Sequence, residues 1–150
     1  MKTPRFLAPV AEQLSDAILI TDRHGCVTWI NPAFTRLSGY TIEELRGKKP
    51  GPVLQGPDTD PESAALLRHA IRRRQSVAVE LLNYRKNGEP YMVSLSINPL
   101  RDRAGRLTGF MSVERETSAT QRELRRLENE VAQLYEILCH VGTAPQAAAC

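Results

Sequence analysis

Between Val77 and Glu116 the chain carries three strand-length runs, Val77 to Arg85, Tyr91 to Arg101 and Leu107 to Glu116, joined by Lys86-Asn87-Gly88-Glu89 and Asp102-Arg103-Ala104-Gly105. Both links hold Gly behind polar turn-forming residues, so the runs read as successive hairpins, an antiparallel meander. A second hairpin is written upstream, where Ala17-Ile18-Leu19-Ile20-Thr21 and Cys26-Val27-Thr28-Trp29-Ile30 flank Asp22-Arg23-His24-Gly25. Two strands, a helical middle and three more strands predict an α+β domain, a five-stranded antiparallel sheet with its helices grouped on one face.

The middle supplies its own boundaries. Asn31 is a helix N-cap with Pro32 in the first turn, and that helix runs to about Leu37 before Gly39. Thr41-Ile42-Glu43-Glu44 reads as a capping box opening a second short helix. Gly47, Pro50, Gly51, Pro52, Gly56, Pro57 and Pro61 predict a looped connection. From Asp60-Pro61-Glu62, apolar positions at Leu66, Leu67, Ala70 and Ile71 predict a helix to about Arg74. Before the first strand, Leu7, Val10, Ala11 and Leu14 form a short amphipathic lead-in. After the last strand, Leu124, Leu127, Val131, Leu134, Leu138 and Val141 repeat at coiled-coil spacing, with Gly142 as the stop.

With 150 residues there is room for one core, and 41% hydrophobic against 25% charged residues rules out general disorder. The net charge of +3 is too small to announce a nucleic-acid partner, so Arg72, Arg73, Arg74 and Arg122, Arg125, Arg126 read as solvated helix faces. No apolar run approaches the roughly 20 residues that span a bilayer, and Met1 to Val10 lacks a signal-peptide core, so the expected location is cytoplasmic. Cys26, Cys139 and Cys150, like His24, His69 and His140, are scattered without metal-type or triad spacing. No nucleophile and base pair can be assembled, and the chain reads as no enzyme.

Several longer segments now resemble a known family. Ile30-Asn31-Pro32-Ala33-Phe34 with Leu37-Ser38-Gly39-Tyr40-Thr41, Leu54-Gln55-Gly56-Pro57-Asp58-Thr59-Asp60-Pro61, and Glu80-Leu81-Leu82-Asn83-Tyr84-Arg85-Lys86-Asn87-Gly88 are similar to PAS domains. Within that superfamily the likeness is to the light-oxygen-voltage and redox-flavin branch. It implies a PAS sensor domain over residues 16–118, a cap helix over 1–15, a signalling and dimerisation helix over 119–142 and a flexible tail over 143–150. Glu116-Thr117-Ser118 stands where the family has an Asp-X-Thr coupling the last strand to the output helix.

The departures are as informative. Photoactive members carry Asn-Cys-Arg-Phe-Leu-Gln, whose Cys bonds to the flavin; counted back from Leu54-Gln55, Gly51 replaces that Cys and Pro52 replaces a phosphate-contacting Arg. The resemblance implies flavin contacts at Asn83, Gln55 and Arg68, whereas Val93 replaces a second Asn and Glu114 replaces the last-strand Gln. It therefore implies a noncovalent flavin, FAD or FMN, with redox, oxygen or light as input.

Strand alternation tests the pocket independently. Val77, Val79, Leu81 and Asn83 share a face, as do Val93, Leu95 and Ile97, and Phe110, Ser112 and Glu114. If these face one cavity, apolar walls surround a few polar groups, as a buried heterocycle requires; otherwise Asn83 and Glu114 lie at strand ends in water. A buried Glu114 would hold its proton and could donate it to a ligand. His69 raises haem as an alternative, although its neighbours Arg68, Arg72 and Arg73 suggest a solvated face. A ligand-free interaction module is the other alternative. The terminal heptads imply a homodimer, assisted by outward residues Met92, Met111 and Val113, and a downstream signalling protein as partner.

Overall fold

Ten elements follow one another in the computed structural model, which describes residues 13–142. Most of the cap helix expected over 1–15, and the tail 143–150, lie outside the described residues. The elements are β1 (Ala17–Asp22), β2 (Val27–Ile30), α1 (Pro32–Ser38), α2 (Ile42–Leu45), α3 (Pro50–Leu54), α4 (Pro61–Arg72), β3 (Val77–Tyr84), β4 (Pro90–Arg101), β5 (Leu107–Glu116) and α5 (Ala119–Val141). They form two compact units that divide between Glu116 and Thr117.

The first unit is one antiparallel sheet of order β2-β1-β5-β4-β3. The two hairpin systems meet where β1 pairs with β5, from Ala17 opposite Glu114 to Asp22 opposite Gly109. In the first hairpin Asp22 organises the turn, its Oδ1 accepting from the amides of His24 at 2.8 Å and Cys26 at 3.0 Å, while Gly25 takes φ 81°. That positive φ is costly for any residue with a Cβ.

Asn31 ties sheet to helix. Its Oδ1 accepts from the amides of Ile18 at 2.8 Å and Phe34 at 3.0 Å, and its Nδ2 donates to the Asp16 carbonyl at 2.9 Å. The residue is 1% exposed, so Asn31→Ala would strip partners from β1 and from the first turn of α1 without admitting water. A cap is worth about 1 kcal/mol and each orphaned buried group about 1–3 kcal/mol. The expected result is a loss of about 3 kcal/mol in urea unfolding, and a midpoint equal to the parent's would contradict this role.

Thr41 caps α2 as its spacing predicts, accepting from the Glu44 amide at 3.4 Å. The Glu44 carboxylate accepts from the Lys86 ammonium at 2.9 Å, which with the Thr41 hydroxyl holds its pKa below the usual value.

The expected loop over 47–61 contains a short helix, α3. Pro50 is its first residue and Pro52 its third, and the amides of a first turn have no intrahelical acceptor to lose. Beyond α3 the chain is pinned to β3. Thr59 Oγ1 donates to the Leu82 carbonyl at 2.6 Å and accepts from the Gly56 amide at 3.0 Å, and the Tyr84 hydroxyl accepts from the Asp58 amide at 3.0 Å. The Tyr84 ring lies where a Cβ on residue 56 would project, so only Gly fits there.

Asp60 caps α4, its carboxylate accepting from the amides of Glu62 and Ser63 and the Ser63 hydroxyl. The helix stops at Arg72, two residues before the expected end, and Arg74 turns into the left-handed region at φ 57°.

Two apolar clusters fill the space between sheet and helices. Ala17, Leu19, Val27, Ile30, Phe34, Leu45 and Leu54 form one, and Leu67, Leu81, Tyr91, Val93, Leu95, Ile97 and Phe110 the other. Phe34 is fully buried, worth about 1.5–3 kcal/mol. On the opposite face Met92 pairs with Leu82, Met111 with Asn98 and Val113 with Ser96, all half-buried.

The described part of the second unit is the helix α5 and its flanking residues. Ser118 and Gln121 form a reciprocal capping box that opens it, and Gly142 caps its end. No residue of α5 is buried, and the heptad residues Leu124, Leu127, Val131, Leu134, Leu138 and Val141 are exposed. Arg126 bridges Glu123 at 2.8 Å and Glu130 at 4.0 Å.

Candidate functional site

Alternation places every second strand residue on the helix-covered face, and the register shows which of them meet. Asn83 lies opposite Tyr91, Leu81 opposite Val93, Leu95 opposite Glu114 and Ile97 opposite Ser112. On the other side of β5, Leu19 lies opposite Ser112 and Ala17 opposite Glu114. Between the two apolar clusters this face leaves a cavity of about 560 Å³, within the usual range of small-molecule sites, about 300–1,000 Å³. Leu19, Leu81, Leu95, Ile97 and Phe110 wall it from the sheet, with Leu54 of α3 and Leu67 and Ile71 of α4 opposite.

Three polar side chains on the sheet converge on this apolar space: Asn83, Ser112 and Glu114. All are buried, at 3%, 6% and 3% exposure, which removes the reading that Asn83 and Glu114 end their strands in water. Glu114 Oε1 accepts from the Ser112 hydroxyl at 3.4 Å, while Oε2 has no hydrogen-bond partner. Burial pushes the Glu114 carboxyl up to about 7, only partly offset by Ser112.

Tyr91 flanks the cavity on the same face. Its hydroxyl is buried without a hydrogen-bond partner, and burial, then the nearby Glu114 charge, raises its pKa. Asn83 offsets part of that rise from across the ladder without closing a well-formed bond. The Arg85 guanidinium stacks on the Tyr91 ring at 4.4 Å, donates to the Leu37 carbonyl at 2.6 Å and pairs with Glu116 at 2.7 Å. These charge-assisted bonds tie the end of β3 to α1 and to the end of β5.

The cavity opens to solvent at one end. Its exposed lining residues are His24 of the β1–β2 turn, Lys49 and Pro52 at α3, and Arg68 and Arg72 of α4. Gln55, half-buried, joins them from the end of α3. An anionic group attached to a buried ring would meet cations there.

Six of the seven expected site residues therefore line one cavity: Asn83, Gln55, Glu114, Arg68, Ser112 and Leu95. Val93 does not. It is fully buried in the same cluster as Leu67 and Leu81 but outside the cavity lining. His69 is exposed and outside the lining, which leaves the haem reading without an inward ligand on α4. Among the described residues no cysteine lines the cavity; Cys26 is half-buried in the hairpin turn and Cys139 is exposed. Among the described residues no His, Cys, Asp and Glu gather as a metal site, and no helix is long and apolar enough to cross a membrane. Leu19, Lys49 and Arg72 are lining residues that the sequence did not reveal, because only long-range pairing brings them to the cavity.

A family model described as the PAS domain matches residues 15–119. A blue-light-activated histidine kinase of Brucella anthropi is 36% identical over 104 residues, covering 69% of this chain and 21% of that protein. A blue-light photoreceptor of Listeria innocua is 32% identical over 126 residues, covering 82% of this chain and 49% of its own length. The chain thus spans less than half of each of these relatives. Among solved structures, one from work on a flavin analogue and the light-oxygen-voltage domain mechanism superposes with a TM-score of 0.72 at 29% identity, covering 83% of this chain and 96% of that one. The LOV domain of an Erythrobacter litoralis blue-light-activated histidine kinase superposes at 0.66 with 28% identity, covering 71% and 99%.

Proposed function

The chain belongs to the PAS domain family, in its light-oxygen-voltage branch, and we propose that it is a sensory module that binds a flavin noncovalently and signals through a homodimeric C-terminal helix. The observation that carries this reading is the cavity itself, an apolar space into which Glu114 brings an unsatisfied buried oxygen. A ligand-free core would fill such a space with side chains and leave no carboxyl oxygen without a partner. The blue-light relatives and the flavin study of a structural neighbour support the choice of ligand.

A flavin, when bound, supplies a planar ring whose heteroatom edge exchanges protons as it exchanges electrons. Leu19, Leu81, Leu95, Ile97 and Phe110 exclude water from that ring. Asn83 and Gln55 would offer amide donors and acceptors to its polar edge, and Arg68 at the mouth would hold the phosphate of FMN or FAD. Glu114 holds or releases a proton at Oε2, with Ser112 donating to Oε1. α3 reads Pro50-Gly51-Pro52-Val53-Leu54 and among the described residues no thiol lines the cavity, which supports redox state, oxygen or an adduct-free light response as the input.

The output belongs to α5. Its exposed heptad seam fits a second copy, although in a parallel pair Glu123 would oppose the partner's Glu128. Arg126, bonded to Glu123, lessens that repulsion. The module is read as a sensor rather than a catalyst, located in the cytoplasm and acting on a downstream signalling protein; kinase activity belongs to the names of the Brucella anthropi and Erythrobacter litoralis relatives.

Fluorescence titration with FMN and FAD tests the reading. Saturable quenching is expected, and Leu95→Trp, which fills the cavity from β4, should weaken binding at least tenfold, about 1.4 kcal/mol. Absence of binding to the parent protein, or equal affinity in the Trp variant, would overturn it.

A further inference from the structure

Along the sequence Arg72, Arg73 and Arg74 look like one solvated face, but folding gives them company. β4 ends where β3 begins, so the β4–β5 turn brings Arg101, Arg103 and Arg106 to the same end of the sheet. The Arg101 guanidinium locks the two segments together, donating to the Arg74 carbonyl at 3.4 Å and to the Gly105 carbonyl at 3.3 Å. Since Asp22 pairs with Gly109, the β1–β2 turn lies alongside and adds Arg23. The Lys48 carbonyl accepts from the Val27 amide at 2.9 Å, which puts Lys48 and Lys49 on the same edge. All nine cations are exposed.

Only Asp22 and Asp102 accompany them in these turns, and both carboxylates are largely engaged. Asp22 accepts from turn amides, and Asp102 accepts from the amides of Ala104 and Arg106 and from the Arg106 guanidinium at 3.1 Å. The opposite end behaves differently: Arg85, Lys86 and Arg115 hold Glu116, Glu44 and Asp16 at 2.7, 2.9 and 2.7 Å. An ordinary solvated surface interleaves its charges. The dipole of α4 favours cations in its last turn, which explains Arg72 but not Arg23, Arg103 or Lys48. Five adjacent strands make this edge about 20 Å wide, room for several phosphates of a duplex, which carries one charge per about 1.7 Å of axis.

We propose that this arginine-rich end of the sheet docks double-stranded nucleic acid through its phosphate backbone. Arginine forks suit phosphate oxygens, and the hydrogen bonds of Arg101 hold the two segments in fixed register. The segments 22–26, 48–52, 72–76 and 101–107 contain no Phe, Tyr or Trp on which unpaired bases could stack. They also expose no large apolar side chain that could anchor in a bilayer. Contacts confined to phosphates recognise a duplex without reading its sequence.

Fluorescence anisotropy of the full chain with labelled random-sequence DNA and RNA duplexes tests the proposal, each titrated across salt. Either duplex should bind, and the tighter one names the source. Affinity should fall about a hundredfold between 50 and 200 mM salt if about four phosphates are neutralised. Arg73→Glu with Arg103→Glu should cost at least about tenfold, whereas Arg36→Glu, an exposed reversal on α1, should stay within about twofold of the parent. Neither Arg73 nor Arg103 lines the cavity, so an unchanged flavin titration and circular dichroism spectrum report intact folding. The proposal fails if neither duplex binds, if the double variant binds like the parent, or if only vesicles of phosphatidylserine and phosphatidylcholine are bound.

Discussion

Glu114→Gln is expected to remove most of a pH dependence that the ligand-free parent shows near neutrality. The folded carboxyl titrates at about 7 against an ordinary 4.5 because burial penalises its charge. The folded state therefore binds more protons than the unfolded state between those values, and stability must fall as pH rises through that window. A shift of this size corresponds to about 3 kcal/mol, present as a gain below pH ~4.5 and lost above pH ~7. Gln keeps the shape but carries no charge, so the variant should melt higher than the parent at pH 8, by several degrees, and should lose the slope between pH 5 and 7. Asp16, Asp60 and Glu44 have lowered pKa values and act in the opposite sense, losing their stabilisation only at lower pH. Parallel pH profiles for parent and variant would show that Glu114 is hydrated in the folded protein. The same experiment reports on function, since a carboxyl that titrates near neutrality can follow the protonation of a bound ring.

Gly109→Ala should be the most damaging of the single-methyl additions. A Cβ there would overlap the Thr21 carbonyl oxygen of β1, a backbone atom that cannot swing aside. Gly109 opens the β5 side of the β1–β5 ladder, and the neighbouring pair, Thr21 with Phe110, carries a wall residue of the cavity. Relief requires β1 to move away from β5, which breaks the seam joining the two hairpin systems. A loss of roughly 3 kcal/mol or more is expected in urea unfolding, with weaker flavin binding in whatever remains folded. A parent-like midpoint would mean that the two strands are farther apart than described.

The fold was legible where its instructions are local. Asn87-Gly88 and Asp102 to Gly105 set two hairpins, Asn31-Pro32 sets the start of α1, and period-two alternation put Leu81, Asn83, Leu95, Ser112 and Glu114 on a common face. α3 escaped notice because Pro and Gly count as breakers in a sequence, whereas Pro at the first and third helical positions forfeits no hydrogen bond. Val93 shows a second limit: alternation gives a face but not which residues of that face reach the cavity, and Val93 is packed within the core while Leu95, two residues on, lines the cavity. Leu19 and the basic edge required knowledge of which strands are neighbours. Arg23, Arg74 and Arg103 are far apart in the chain and come to one end of the sheet only because β1 pairs with β5 and β4 with both β5 and β3.

Whether the cavity takes a flavin without bonding to it is read from the absorption spectrum of the full chain loaded with FMN or FAD and separated from free flavin. The expected result is a retained blue-region flavin band that bleaches with dithionite, recovers in air and forms no covalent adduct under blue illumination. A colourless protein after loading, or a band lost under illumination through a covalent bond to the chain, would contradict it.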